Sequence, residues 1–181
     1  ECMVKARGDL LILMENALAQ SRRLQIDTPI HVDSLDNLIG DLQESSWTVH
    51  PEIGGRGIRV EIVGSLPEFP FSALGLCRVL SNLVVNAAQA SEAGGCITLA
   101  LSRQDDEAVV KVIDQGQGIP EELREEIFQP HFTTKANGNG IGLISCKQII
   151  EETHGGSLRF ESIPGQGTTF TIRLPFSARI G

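Results

Sequence analysis

Between an alternating apolar segment that ends at Asp114 and an apolar segment that opens at Gly142 lies a stretch rich in Gly, Pro and polar residues, Gln115 to Asn139. That is too long for a turn, and loops of such length serve as lids over sites or stay disordered. Both ends are glycine-rich: Asp114-x-Gly116-x-Gly118-Ile119 follows a strand, and Gly138-x-Gly140-x-Gly142-Leu143 opens a helix. Glycine lets the backbone approach a ligand closely, and a glycine run feeding a helix start aims free N–H groups at an anion. The P-loop spacing G-x-x-x-x-G-K-S/T is absent, and the G-x-G-x-x-G dinucleotide spacing is not met. An aspartate at a strand end can accept from an exocyclic amine, so Asp114 is a candidate reader of adenine. The competing reading is a plain aspartate-capped turn.

Charge limits how phosphates could be held. The 181 residues include 15 Lys+Arg against 23 Asp+Glu, a net charge of −8 at pH 7. An acidic chain is a poor partner for nucleic acid, whose phosphate backbone is gripped by Lys and Arg. Any phosphate must be held locally, by backbone N–H groups, a metal and a few lysines. At 41% hydrophobic and 21% charged, the composition is that of a soluble globular domain, with or without an appended element. The four cysteines (Cys2, Cys77, Cys96, Cys146) form no C-x-x-C pair. The last three sit in apolar stretches, as reduced core cysteines of a cytosolic protein would, so neither zinc site nor disulfide framework is expected. No apolar run approaches the roughly 20 residues that span a bilayer. The expectation is a cytoplasmic chain, with membrane tethering of a longer parent left open.

Apolar periodicity sketches the rest. Leu10, Leu13, Ala17 and Leu24 recur at helical spacing within Asp9 to Gln25. That helix either packs on its own domain or belongs to a dimerisation or docking bundle. Ile30 to Val32 reads as a short strand, Ser34 to Ser46 as a helix, Ile58 to Val63 as a strand, and Pro67 and Pro70 mark a loop. Leu74 to Ala90 is a strong helix, followed by strands near Ile97–Ser102 and Glu107–Asp114. A helix from Gly142 to Glu152 precedes strands near Leu158–Glu161 and Thr168–Leu174. Without strict βαβ alternation, the expectation is α+β: a mixed sheet with helices on one face, a two-layer sandwich.

One helix carries an unusual pair. Asn82 and Asn86 stand four apart and so project from one face, among Leu80, Leu83, Val84, Val85, Ala87 and Ala88. Two solvent-facing polar residues would be the plain reading. Amides on so apolar a helix want a polar ligand, and a carboxamide oxygen suits a hard cation such as Mg²⁺ that bridges phosphates.

Five motifs now stand in order: Leu83-Val84-Val85-Asn86-Ala87, Asp114-Gln115-Gly116-Gln117-Gly118-Ile119, Phe128-Gln129-Pro130-His131-Phe132-Thr133-Thr134-Lys135, Gly138-Asn139-Gly140-Ile141-Gly142-Leu143, and Gly167-Thr168-Thr169-Phe170. Together, over about Ile30 to Pro175, they resemble the catalytic and ATP-binding domain of a two-component sensor histidine kinase. The resemblance implies the Bergerat fold shared with gyrase, mismatch-repair and heat-shock chaperone ATPases, in which ATP lies under a mobile lid. It divides the chain into residues 1–29, a helical remnant of a dimerisation and phosphoacceptor hairpin, and residues 30–181, the ATP-binding domain.

Carried over by position, the resemblance makes Asn86 the Mg²⁺ ligand and Asn82 a phosphate or metal contact. Asp114 becomes the adenine-reading carboxylate, with Gly116, Gly118 and Ile119 around the base and Thr168 supporting its water network. Lys135 becomes the lid lysine on the terminal phosphates, with Phe132 and Thr134 beside it and Phe128 and Phe132 as lid anchors. Gly138, Asn139, Gly140, Ile141, Gly142 and Leu143 become the phosphate cradle. Asn82 and Lys135 are then the catalytic pair. His131 departs from the usual lid residue and reads as a packing variant. The lid, Ile119 to Asn137, is expected to be mobile without nucleotide.

The resemblance also bears on chemistry. Relatives that hydrolyse ATP carry a glutamate one turn before the metal asparagine; here stands Asn82, whose amide cannot take a proton from water. The γ-phosphoryl should therefore be kept for an external nucleophile, normally a histidine followed by an acidic residue. None of His31, His50, His131 and His154 has that neighbour, so the acceptor is expected upstream or in trans. The implied partners are a phosphoacceptor histidine domain, a response regulator and a second copy in a homodimer, with no nucleic acid. A serine kinase of the anti-sigma type and a nucleotide-dependent interaction module are the alternatives.

Overall fold

A computed structural model describes residues 29–130 and 141–177. The helix expected over Asp9 to Gln25 lies outside them. The strands are β1 (His31–Asp33), β2 (Arg59–Val63), β3 (Phe69–Phe71), β4 (Cys96–Gln104), β5 (Glu107–Ile113), β6 (Ser157–Ile163) and β7 (Gly167–Pro175). The helices are α1 (Leu35–Leu42), α2 (Ala73–Ala90) and α3 (Gly142–Gln148). α1 and α3 each continue into a wider π-type turn, Gln43–Trp47 and Ile149–Thr153.

The main sheet has the order β2-β4-β5-β7-β6. β2 runs parallel to β4, and every other neighbouring pair is antiparallel. Alternation decides which side is covered. Ile97, Leu99 and Leu101 of β4, Ala108, Val110 and Val112 of β5, and Phe170, Ile172 and Leu174 of β7 are buried. They face Leu35, Ile39 and Leu42 of α1, Leu76, Val79, Leu80, Leu83 and Val84 of α2, and Cys146 of α3, in one apolar core. Polar Thr98, Lys111, Thr171 and Arg173 alternate onto the other face. This is an α+β sandwich of two layers.

Two local outcomes differ from the sequence reading. Phe69-Pro70-Phe71 pairs antiparallel with β1, Val32 opposite Pro70, so a segment read as loop is a strand. A two-stranded ribbon has open edges, where a proline lacking its N–H costs no ladder bond. Cys146 is a core residue, but Cys77 and Cys96 are partly exposed.

α2 is fixed at both ends. Ser72 caps its start, its Oγ accepting from Gly75 N at 3.1 Å. The Ser72 N–H donates to His154 Nε2 at 3.0 Å, and His154 Nδ1 lies 2.8 Å from the Ile149 carbonyl. That carbonyl can only accept, so Nδ1 carries the proton and the ring is neutral. At the far end the Arg56 guanidinium donates to Ala88 O at 2.6 Å and Ser91 O at 2.8 Å. A cation there suits the negative end of the helix dipole.

Candidate functional site

α2 touches both glycine-rich segments. A Cβ on Gly142 would lie 3.0 Å from Asn82 Oδ1. Eight residues further on, a Cβ on Gly116 would run into the Ala90 carbonyl, the same oxygen that accepts from Gln117 N at 3.1 Å. Asn82 and Ala90 are about 12 Å apart along the axis, with the half-buried Asn86 midway. One helix thus joins the two motif ends.

At the Asn82 end the amide is oriented by its own helix. Asn82 Nδ2 donates to the Arg78 carbonyl at 3.1 Å, which leaves Oδ1 toward Gly142 at the start of α3. Ile141 and Leu143 flank that point; Ile141 O accepts from Ser145 N at 3.0 Å, and Leu143 packs on the core. Phe128 meets Phe160 edge-on, centroids 5.9 Å apart, with Lys147 Nζ 5.3 Å from the Phe128 centroid. Phe132, Thr134, Lys135, Gly138, Asn139 and Gly140, together with His131, lie outside the described residues.

At the other end Asp114, the residue after β5, is 5% exposed and donates its N–H to Thr168 O at 2.9 Å. Its Oδ1 accepts from Gly116 N at 2.9 Å and Thr168 N at 3.2 Å, and neither amide takes Oδ2. Burial raises the Asp114 carboxyl above its ordinary value, opposed by the two amide bonds. The neighbouring glycines answer to backbone crowding. Gly118 has φ +69 and a Cβ there would strike the Ile163 carbonyl; Gly167 has φ +108 and its Cβ would strike the Asp114 carbonyl. These contacts press the loop after β5 against the β6–β7 turn and set the Asp114 carboxylate beside Thr168.

Two residues here escaped the sequence reading. Ser162 Oγ accepts from Ile119 N at 2.8 Å and contacts Thr168 Oγ1 at 2.9 Å and Gly167 O at 3.1 Å. Arg124 Nη2 donates to Ser162 O at 2.9 Å. Ser162 carried a usable signal, being a polar residue in the inward row of Leu158 and Phe160. Arg124 sits in an irregular segment and carried none.

The acceptor at this end is of a kind that suits an adenine ring. A buried carboxylate with one oxygen unclaimed by the neighbouring amides fits an exocyclic amine. Among the described residues no three His, Cys, Asp or Glu side chains gather to hold a metal. Residues 71–178 match the family described as "Histidine kinase-, DNA gyrase B-, and HSP90-like ATPase". The chain belongs to this family.

Within that ATPase family the similarity runs to histidine kinases. The alginate biosynthesis sensor protein KinB of Pseudomonas aeruginosa is 39% identical over 170 residues, 91% of this chain and 28% of KinB. The solved catalytic domain of histidine kinase ThkA, nucleotide-free, is 31% identical with a TM-score of 0.68, covering 81% of this chain and 95% of that one. Histidine kinase ThkA solved in complex with response regulator protein TrrA is 27% identical with a TM-score of 0.66, covering 95% and 48%. This chain spans 20% to 34% of the length of the curated relatives it matches. Among its described residues no helix is long and apolar enough to cross a membrane.

Proposed function

We propose that this chain is the ATP-binding catalytic domain of a sensor histidine kinase. In this reading it passes the γ-phosphoryl of ATP to a histidine outside the chain, for relay to a response regulator on the cytoplasmic side. The single observation that carries the kinase over the hydrolase is Asn82. Its amide is tied to the Arg78 carbonyl and faces Gly142, where a carboxylate would be needed to deprotonate water. Phosphoryl transfer depends chiefly on positioning and charge neutralisation, so a site lacking a base can bind ATP and still spare it.

In this assignment Asp114, with Thr168 at its side, takes the adenine 6-amino group. Asn86 supplies one hard oxygen to Mg²⁺, and Asn82, Gly142 and the glycine-rich cradle hold phosphates, with Lys135 reaching from the lid. Mg²⁺, when bound, neutralises phosphate charge and fixes the phosphate oxygens. His154 is no acceptor in this scheme: it is 4% exposed and both ring nitrogens are engaged.

The test combines titration and labelling. Mg²⁺-ATP should bind in calorimetry, and γ-labelled ATP should leave the chain unlabelled. Label should appear on an added histidine-bearing dimerisation hairpin from a relative such as KinB, acid-labile and alkali-stable. Acid-stable label would point to the serine kinase, and absence of ATP binding to the interaction module; either outcome overturns the proposal.

A further inference from the structure

Arg78 stands one turn before Asn82 on α2, on the side away from Ala90. Its carbonyl orients the Asn82 amide. Its guanidinium is the unexplained part. The half-buried arginines among the described residues are Arg56, Arg78, Arg124 and Arg173. Arg56 and Arg173 have ion pairs, and Arg124 holds the Ser162 carbonyl. Among the described residues the Arg78 guanidinium has neither an ion pair nor a hydrogen bond. Its own helix cannot supply a carboxylate, because the positions three and four away are Leu74, Gly75, Ser81 and Asn82.

Two observations put this charge at the Asn82 end of the site. Side chains four apart on a helix are neighbours, so Arg78 is within reach of whatever meets Asn82 Oδ1, the atom that faces Gly142. The second comes from α3. Burial pushes the Cys146 thiol up to about 12, and the Arg78 charge opposes that shift. Cys146 Sγ itself lies 3.9 Å from the Val79 carbonyl. The guanidinium is therefore felt across the α2–α3 seam that opens at Asn82 and Gly142. Lys147, the cation of α3, lies over the Phe128 ring instead.

Resting on the nucleotide reading above, we infer that Arg78 is a specificity-determining residue for the terminal phosphate: its guanidinium takes oxygens of the γ-phosphoryl group and makes the site prefer ATP over ADP. In that reading the base lies near Ala90, Mg²⁺ at Asn86 and phosphates at Asn82. Arg78 follows about 6 Å further along the axis, past the point where a diphosphate ends. A guanidinium carries parallel N–H donors that match two phosphate oxygens, and it stays charged at any working pH. With 23 Asp+Glu against 15 Lys+Arg, the chain as a whole repels the more highly charged nucleotide. A cation at this end offsets that repulsion where the additional phosphate sits.

Calorimetric titration of ATP and of ADP, each with excess Mg²⁺, into the whole chain provides the test. Arg78→Met keeps an apolar stem, removes the charge and leaves the carbonyl that holds Asn82. The ATP-over-ADP preference should fall about tenfold or more, the worth of a bond to a charged group, with ADP affinity unchanged. Arg78→Lys keeps a charge without the planar fork and should fall between wild type and Arg78→Met. Thermal melting reports whether each variant folds; if Arg78→Met does not, Arg78→Gln carries the test. An unchanged ATP/ADP ratio in the folded variants would overturn the inference. So would equal losses for both nucleotides, which would mark Arg78 as a packing residue. Wild-type protein that binds neither nucleotide would instead sink the nucleotide reading itself.

Discussion

Asn86 and Asp114 can be interrogated one atom at a time. Replacing Asn86 by Ala removes a hard oxygen from a helix that otherwise offers apolar side chains at Leu83, Val84, Ala87 and Ala88. The expected result is loss of the Mg²⁺-dependent part of ATP affinity at unchanged melting temperature, read by titration with and without EDTA. Identical titrations would take Asn86 out of the metal site. For Asp114, burial raises the carboxyl above its ordinary value of 3.8. Binding an amine wants the ionised form, so ADP affinity should decline as the pH falls through that raised value. Asp114→Asn should bind ADP about tenfold or more weakly, the usual worth of a bond to a charged group, with no such pH dependence. Stability runs the opposite way. A folded pKa above the unfolded one favours folding below 3.8 and loses that contribution as pH rises through the folded value. At pH 7 the Asn variant should therefore melt no lower than wild type, and calorimetric scans check this. These residues stood out in the sequence by type alone: an amide pair on an apolar helix, an acid before glycines. Ser162 showed only as a polar residue in the inward row of β6, and its partner Thr168 comes from the β6–β7 register.

Elements meet through contacts that no single segment discloses. Gly142 admits α3 against Asn82, and Gly142→Ala should push the carboxamide aside at about 1 kcal/mol. The variant should fold and show weaker affinity for ATP, with AMP affinity unchanged; equal losses for both would argue against a phosphate role for this end. His154 joins the start of α2 to the turn after α3. Burial lowers its pKa from 6.5, against the Ile149 carbonyl that raises it. A folded pKa below the unfolded one gives stability that is whole above pH 6.5 and lost as pH falls through the folded value. Protonated Nε2 would confront the Ser72 N–H it now accepts from, so melting temperature should drop between pH 8 and pH 5. His154→Gln should be less stable at pH 8 by about 1 kcal/mol and flatter across this range. Among the described residues the helices and long strands were read to within a few residues, because periods of 3.6 and 2 run through them. The π-type turns after α1 and α3 and the Phe69–Phe71 strand were missed; each arises from tertiary packing that overrides local pattern.

Across the whole molecule, the layers explain what the site can be. The sheet buries one face under three helices and keeps Thr98, Lys111, Thr171 and Arg173 on the other, and the candidate site lies along α2 on the covered side. Layer order was foreseeable from the mixture of elements, but strand order was not, since β2-β4-β5-β7-β6 depends on the parallel return of β2 beside β4. Asn82 at one end and Ala90 at the other belong to a single unbroken α2, so under the proposed assignment the two grips of the site would share one rigid jaw, like the fixed beam of a caliper. A nucleotide short of phosphates would leave the Asn82 grip idle while the grip near Ala90 kept its hold. A kink anywhere along the beam would spoil both measurements together.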